Sequence, residues 1–179
     1  VNLFTGSVAF ATGSAATSIT NSVGAYAVAA STANGGVTLN NNGAITNTGV
    51  ITSSGAVSVT TSNDAITLTQ SNALTGAVQL SSGSAASSLT TSGALNISTT
   101  TANGGLTLST DGAITDSGVI TSSGAVSMTT SNDAITLDQV NLFTGSVAFS
   151  TGSAATSITN SVGAYAVAAS TANGGITLS

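Results

Sequence analysis

Apolar residues in this chain fall two apart, in short runs broken by Gly, Asn, Ser and Asp. The pairs Val8/Phe10, Tyr26/Val28, Val37/Leu39, Val57/Val59 and Ile66/Leu68 all read apolar-x-apolar, the period of a strand with one buried face. Shorter runs carry Ile19, Ile45, Ile51 and Leu74, so the pattern predicts about nine short strands in roughly 70 residues. The residues between them accept positive φ or bond their own backbone, as turns require. No window of helical length keeps an apolar stripe at i, i+3, i+4 and i+7, and the abundant Gly, Thr, Ser and Asn are weak helix formers, so no helix is expected.

The pattern recurs. Val1–Asn40 reappears as Val140–Ser179 with three changes, Ala11 to Ser150, Val37 to Ile176 and Asn40 to Ser179, at a period of 139 residues. Asn42–Gln70 also matches Asp111–Gln139 at an offset of 69, and Thr5-Gly6 matches Thr75-Gly76 at 70. Residues 1–179 therefore read as one continuous segment of a longer tandem array, with copies at 1–70 and 71–139 and a partial copy at 140–179.

Exchanges between copies separate inside from outside. Phe4 becomes Leu74, Phe10 becomes Leu80, Ile19 becomes Leu89, Tyr26 becomes Leu95 and Val28 becomes Ile97, as core positions do. Asn42 becomes Asp111, Asn47 becomes Asp116 and Thr69 becomes Asp138, read here as solvated positions.

These features predict an all-β parallel solenoid with three short strands per coil. Taking Val8, Val37, Val57 and Val78 as coil starts gives coils of 29, 20 and 21 residues, hence three triangular coils per unit. Seven to eight coils at ~4.8 Å would make a rod on the order of 35–40 Å long. Backbone groups pair with the coil above or below, so neighbouring repeats of the same chain are the main partners.

Composition changes the picture by what is missing: Lys, Arg, His, Cys, Pro, Glu and Trp are absent, and five Asp carry the only formal charge, −5. Without a cation the chain lacks the phosphate contacts of nucleic-acid binding and the attraction to anionic lipid. A signal peptide's basic n-region is missing from this stretch. The longest apolar run, Ala25–Ala30, is far short of a spanning helix, and no membrane insertion is expected.

Catalysis needs a general base, a carboxylate pair or a cation beside developing charge. Asp64 and Asp133 occupy equivalent SNDAIT turns, expected three coils and roughly 14 Å apart, too far for a glycosidase pair. Asp111 and Asp116 are closer, but their counterparts Asn42 and Asn47 are not acids. Calcium would need six to eight converging oxygens, and TANGG at Asn34, Asn103 and Asn173 reads as a tight turn, lacking the helix and Lys of a phosphate cradle. No catalytic, cofactor-binding or metal residue is assigned, no cofactor is expected, and the chain reads as a non-enzyme.

The runs NGAITNTGVITSSGAVSVT from Asn42 and DGAITDSGVITSSGAVSMT from Asp111 resemble the coils of filamentous haemagglutinin-like exoproteins and of autotransporter passengers. The resemblance implies a right-handed parallel β-helix, secreted and displayed at the bacterial surface as an adhesive or scaffolding rod. A structural or adhesive extracellular stalk is therefore the expected function. A self-assembling fibre or sheath is the alternative, since so few charges guard its sides against lateral association. Ice binding is a further one, on the outward pairs Ser58/Thr60, Thr67/Thr69, Thr107/Ser109 and Ser127/Thr129, a pattern that Asp138 interrupts at the copy of Thr67/Thr69, Thr136/Asp138.

Overall fold

The structure, a computed structural model, describes residues 2–161 and 165–179; Val1 and residues 162–164 of the third copy lie outside them. Through the first copy the strands are β1 (Ser7–Val8), β2 (Thr17–Asn21), β3 (Tyr26–Val28), β4 (Ser31–Thr32), β5 (Val37–Asn41), β6 (Ile45–Asn47), β7 (Ile51–Ser53), β8 (Val57–Thr61) and β9 (Ile66–Leu74). The second copy supplies β10 (Val78–Gly83), β11 (Ser87–Thr91), β12 (Leu95–Ile97), β13 (Thr100–Ala102), β14 (Leu106–Thr110), β15 (Ile114–Asp116), β16 (Ile120–Ser122), β17 (Val126–Thr130) and β18 (Ile135–Phe143). The third adds β19 (Val147–Ser150), β20 (Thr156–Asn160) and β21 (Ile176–Leu178). No helix occurs among the described residues.

The strands form a 10-stranded and an 11-stranded sheet, each coil visiting both in turn, and the named strand pairs are all parallel. Each coil thus adds one rung to each sheet, and the alternate residues of both sheets meet in one core. A typical coil holds a five-residue strand on one sheet and two three-residue strands on the other, as in β5 followed by β6 and β7. Three strands per coil is the arrangement expected from the sequence.

Coil length differs from that expectation. Val8 pairs with Val28, and Thr17 with Val37, so the 29-residue coil between Val8 and Val37 does not exist. Those two valines belong to different sheets. One ladder runs Ser7, Ala27, Thr46, Thr67, Ser88, Thr107, Ser127, Ala148, in steps of 19 to 21 residues. Its eight rungs span on the order of 34 Å from first to last at ~4.8 Å each.

About 20 residues per coil makes the 139-residue repeat seven coils, and its half three and a half. Equivalent residues of adjacent copies therefore sit on opposite sheets. Five-residue strands β2, β5 and β8 lie in the 11-stranded sheet; their copies β11, β14 and β17 lie in the 10-stranded sheet; β20, the copy of β2 in the third unit, returns to the first. The exchange happens at β10, which pairs with the single strand β8 on one side and with both β12 and β13 on the other. The nine-residue strand β9 makes the complementary change, from β6 and β7 to β11.

The core follows the exchanges between copies. Leu74, Leu80, Leu89, Leu95, Tyr26, Val28 and Ile97 are buried. Phe4 and Phe10, in the first described coil, are half-buried, whereas their copies Phe143 and Phe149 are fully enclosed.

Among the described residues four buried side-chain atoms lack a hydrogen-bond partner, the Tyr26 and Tyr165 hydroxyls, Asn96 Oδ1 and Thr156 Oγ1. The Tyr26 hydroxyl is buried without a hydrogen-bond partner, and burial pushes its pKa up to about 12. An orphaned buried hydroxyl costs about 1–3 kcal/mol, so Tyr26→Phe is expected to raise stability by about 1 kcal/mol in urea melts near neutral pH. The folded-state pKa lies above the unfolded value of about 10, so wild-type stability should be lost as pH rises from about 10 to about 12. The variant should lack most of that loss.

Candidate functional site

The outward residues of the two sheets form hydroxyl columns. On the 10-stranded sheet Thr46, Thr67, Ser88, Thr107 and Ser127 stack in register over five rungs, ending at Ala27 and Ala148. Thr90, Ser109, Thr129 and Ser150 form a second column beside it. On the 11-stranded sheet Ser18, Thr38, Ser58 and Gln79 align, flanked by Thr20, Asn40, Thr60 and Ser81. Ser58 donates to the Gln79 side-chain oxygen at 3.0 Å. The pairs singled out from sequence are thus divided: Thr107/Ser109 and Ser127/Thr129 stack together, while Ser58/Thr60 belongs to the other sheet. Thr67 joins a column, but Thr69 sits at the exposed bend of β9.

Among the described residues no three acids gather in one place. Asp64 and Asp133 occupy turns that lead into strands of different sheets, β9 and β18, so they are three and a half coils apart and do not share a face, as three coils would require. Each SND turn is tied to the next coil: Ser84 N–H donates to Asn63 Oδ1 at 3.1 Å, and Ser153 N–H to Asn132 Oδ1 at 3.4 Å. Asn63 has φ 74°, a conformation that Asn tolerates better than most residues. The TANGG motifs are turns, as expected. Gly36 and Gly105 have φ 121° and 125°, and their amides donate to Ala33 and Ala102 carbonyls at 3.1 and 3.0 Å. No pocket is found among the described residues.

Asn42, Asp111, Thr69 and Asp138 are exposed as expected, but Asn47 and Asp116 are buried, correcting their reading as solvated positions. Both are the third residue of an Ile-Thr-x strand, so they share the inward side of Ile45 and Ile114. There they belong to polar corners that satisfy the backbone of adjacent coils. Asn47 donates to Asn72 Oδ1 at 2.9 Å. Asn72 in turn accepts from Ile51 N–H at 2.9 Å and donates to the Leu68 and Thr90 carbonyls at 3.2 and 3.0 Å. Sequence reasoning missed Asn21, Asn41, Asn72 and Asn141 as buried anchors, although Asn21 and Asn41 stand two residues after Ile19 and Leu39. Asn21 donates to Asn41 Oδ1 at 3.0 Å, extending the same device.

Parallel coils, a single apolar core and asparagine-lined corners define a two-sheet β-solenoid repeat protein. A family model described as repeats of unknown function (DUF5649) matches residues 12–81 and 83–150, and the chain belongs to that family. Each match ends with or within a half-coil strand, β10 or β19, so the family's unit corresponds to the three-and-a-half-coil block. No curated protein and no solved structure matches the chain.

Proposed function

We propose that the chain is a mechanical element: a stiff rod or stalk segment of a large extracellular protein at a bacterial surface, holding an adhesive part away from the cell. The observation that carries this reading is the unbroken core and ladder through eight stacked rungs, which couples every coil to its neighbours and makes bending costly. The sequence supports a non-catalytic role, because its only ionisable side chains are five Asp and two Tyr. Electron microscopy of concatenated repeats is the test. Straight rods that lengthen by ~34 Å per 139 residues, seven rungs at ~4.8 Å, support the spacer; collapsed or freely bending particles contradict it.

The exchange of sheets favours a second reading, a fibre or sheath. Equivalent surfaces on opposite sides let one rod meet two neighbours through the same kind of contact, and a repeated non-closing contact builds an extended lattice. In the same micrographs, ordered lateral arrays at a constant spacing would select the sheath over the isolated stalk.

A further inference from the structure

Asp116 is a carboxylate buried in the core wall of a chain that has no cation. It replaces Asn47 of the first unit, so the chain carries both versions of one corner. We propose that the Asp116–Asn141 corner is an acid-tightened joint, stabilised when Asp116 takes up a proton, whereas the corresponding Asn47–Asn72 corner is indifferent to pH.

Asp116 Oδ1 accepts from the Asp138 and Gln139 amides at 2.8 and 3.3 Å, and Oδ2 accepts from Asn141 Nδ2 at 2.7 Å. The groups packed around it are neutral but for one. β12 brings Leu95, Asn96 and Ile97, and β16 brings Ile120, Thr121 and Ser122; β18 brings Asp138, a second acid. Buried charge is costly unless an opposite charge accompanies it, and here a like charge stands nearby. In the first unit the Asn47 amide donates to the Gly49 carbonyl and to Asn72 Oδ1 at 3.0 and 2.9 Å. With Asp116 ionised, Asn141 turns its Nδ2 donor to the carboxylate. A protonated Asp116 carries an O–H where Asn47 has its N–H, and restores a neutral corner by donating to Asn141 Oδ1 once that side chain takes the arrangement of Asn72, whose Oδ1 accepts from both Ile51 N–H and Asn47.

Burial pushes the Asp116 carboxyl above its ordinary value, outweighing the Asn141, Asp138 and Gln139 donors that pull it down, and the Asp138 charge adds to the rise. A carboxyl with a raised folded-state pKa binds more protons folded than unfolded. Its stabilising contribution is complete below the unfolded value, about 4, and is lost as pH rises through the folded one. This is the opposite of ordinary acid denaturation.

Thermal melts and amide-exchange protection factors of the full chain between pH 3 and 7 test the proposal, comparing wild type, Asp116→Asn and the reciprocal Asn47→Asp. Asp116→Asn should melt above wild type at pH 7, with the gap closing at pH 3. Asn47→Asp should lose protection at the Ile51 and Gln70 amides as pH rises, which wild type does not. A gap independent of pH, or Asp116→Asn melting below wild type at pH 7, overturns the proposal. Should Asp116→Asn fail to fold, pH-independent protection in Asn47→Asp overturns it alone.

Discussion

Replacing Gly76 with alanine is expected to destabilise the rod by about 3 kcal/mol, at the upper end of overpacking effects, or to disrupt the surrounding coils outright. A Cβ at Gly76 would lie 2.2 Å from the Gly55 carbonyl oxygen, and one at Gly55 would lie 2.5 Å from the Gly35 carbonyl carbon. These glycines form a column where the backbones of successive coils touch. The obstructing atoms are backbone, fixed by the ladder on either side, so relief requires opening the rungs. Gly145, in the equivalent column of the next unit, faces the same 2.2 Å contact with Gly124 and should behave alike. Gly93 is the control: a Cβ there meets nothing within 4 Å, and Gly93→Ala should change stability by no more than about 1 kcal/mol, toward stabilisation. Urea denaturation of the three variants reads the contrast, and equal losses at Gly76 and Gly93 would refute the close-approach account.

Asn72→Ala should cost about 4 kcal/mol, because it strips partners from several buried groups at about 1–3 kcal/mol each. Asn72 is fully buried. Its removal leaves the Ile51 amide, the Leu68 and Thr90 carbonyls and the Asn47 amide without the bonds they make to it. The loss should appear in urea melts and, locally, as faster amide exchange at Ile51. A loss below about 1 kcal/mol, the level of a single ordinary hydrogen bond, would mean that the corner is not the anchor its geometry indicates.

Much of this fold is legible in the sequence, because strand parity and turn chemistry are local. Tyr26/Val28 and Ile66/Leu68 announce buried faces, and TANGG announces its turn. The buried corner was legible in principle too. Asn47 keeps the inward parity of Ile45, and Asp116 that of Ile114, yet an Asn-to-Asp exchange looks like solvent when polarity is weighed above parity. Their partners Asn72 and Asn141 lie 25 residues away, so the satisfaction of these groups is visible only once the coils are stacked.

The total of seven to eight coils agrees with the structure, but the division of the unit into three whole coils does not. A 69- or 70-residue repeat invites division into whole coils, and the 29-residue coil from Val8 to Val37 was the result. At about 20 residues per coil the unit is half-integral, and only the 139-residue period closes, after seven coils. The odd number is what places the copies on opposite sheets. It also means that a surface feature found once on this rod recurs on the other side, as Thr38 and Thr107 do.

That consequence offers the most direct test, and the absence of Cys makes it practical with paired cysteines carrying spin labels. Thr46 and Thr107 stand three rungs apart on one face, a backbone separation of ~14 Å, whereas Thr38 and Thr107 lie on opposite faces although they are 69 residues apart in sequence. The account requires the Thr38/Thr107 pair to be clearly the longer of the two. A shorter distance for Thr38/Thr107 than for Thr46/Thr107 would mean whole coils per unit, and would contradict the half-coil exchange on which this architecture rests.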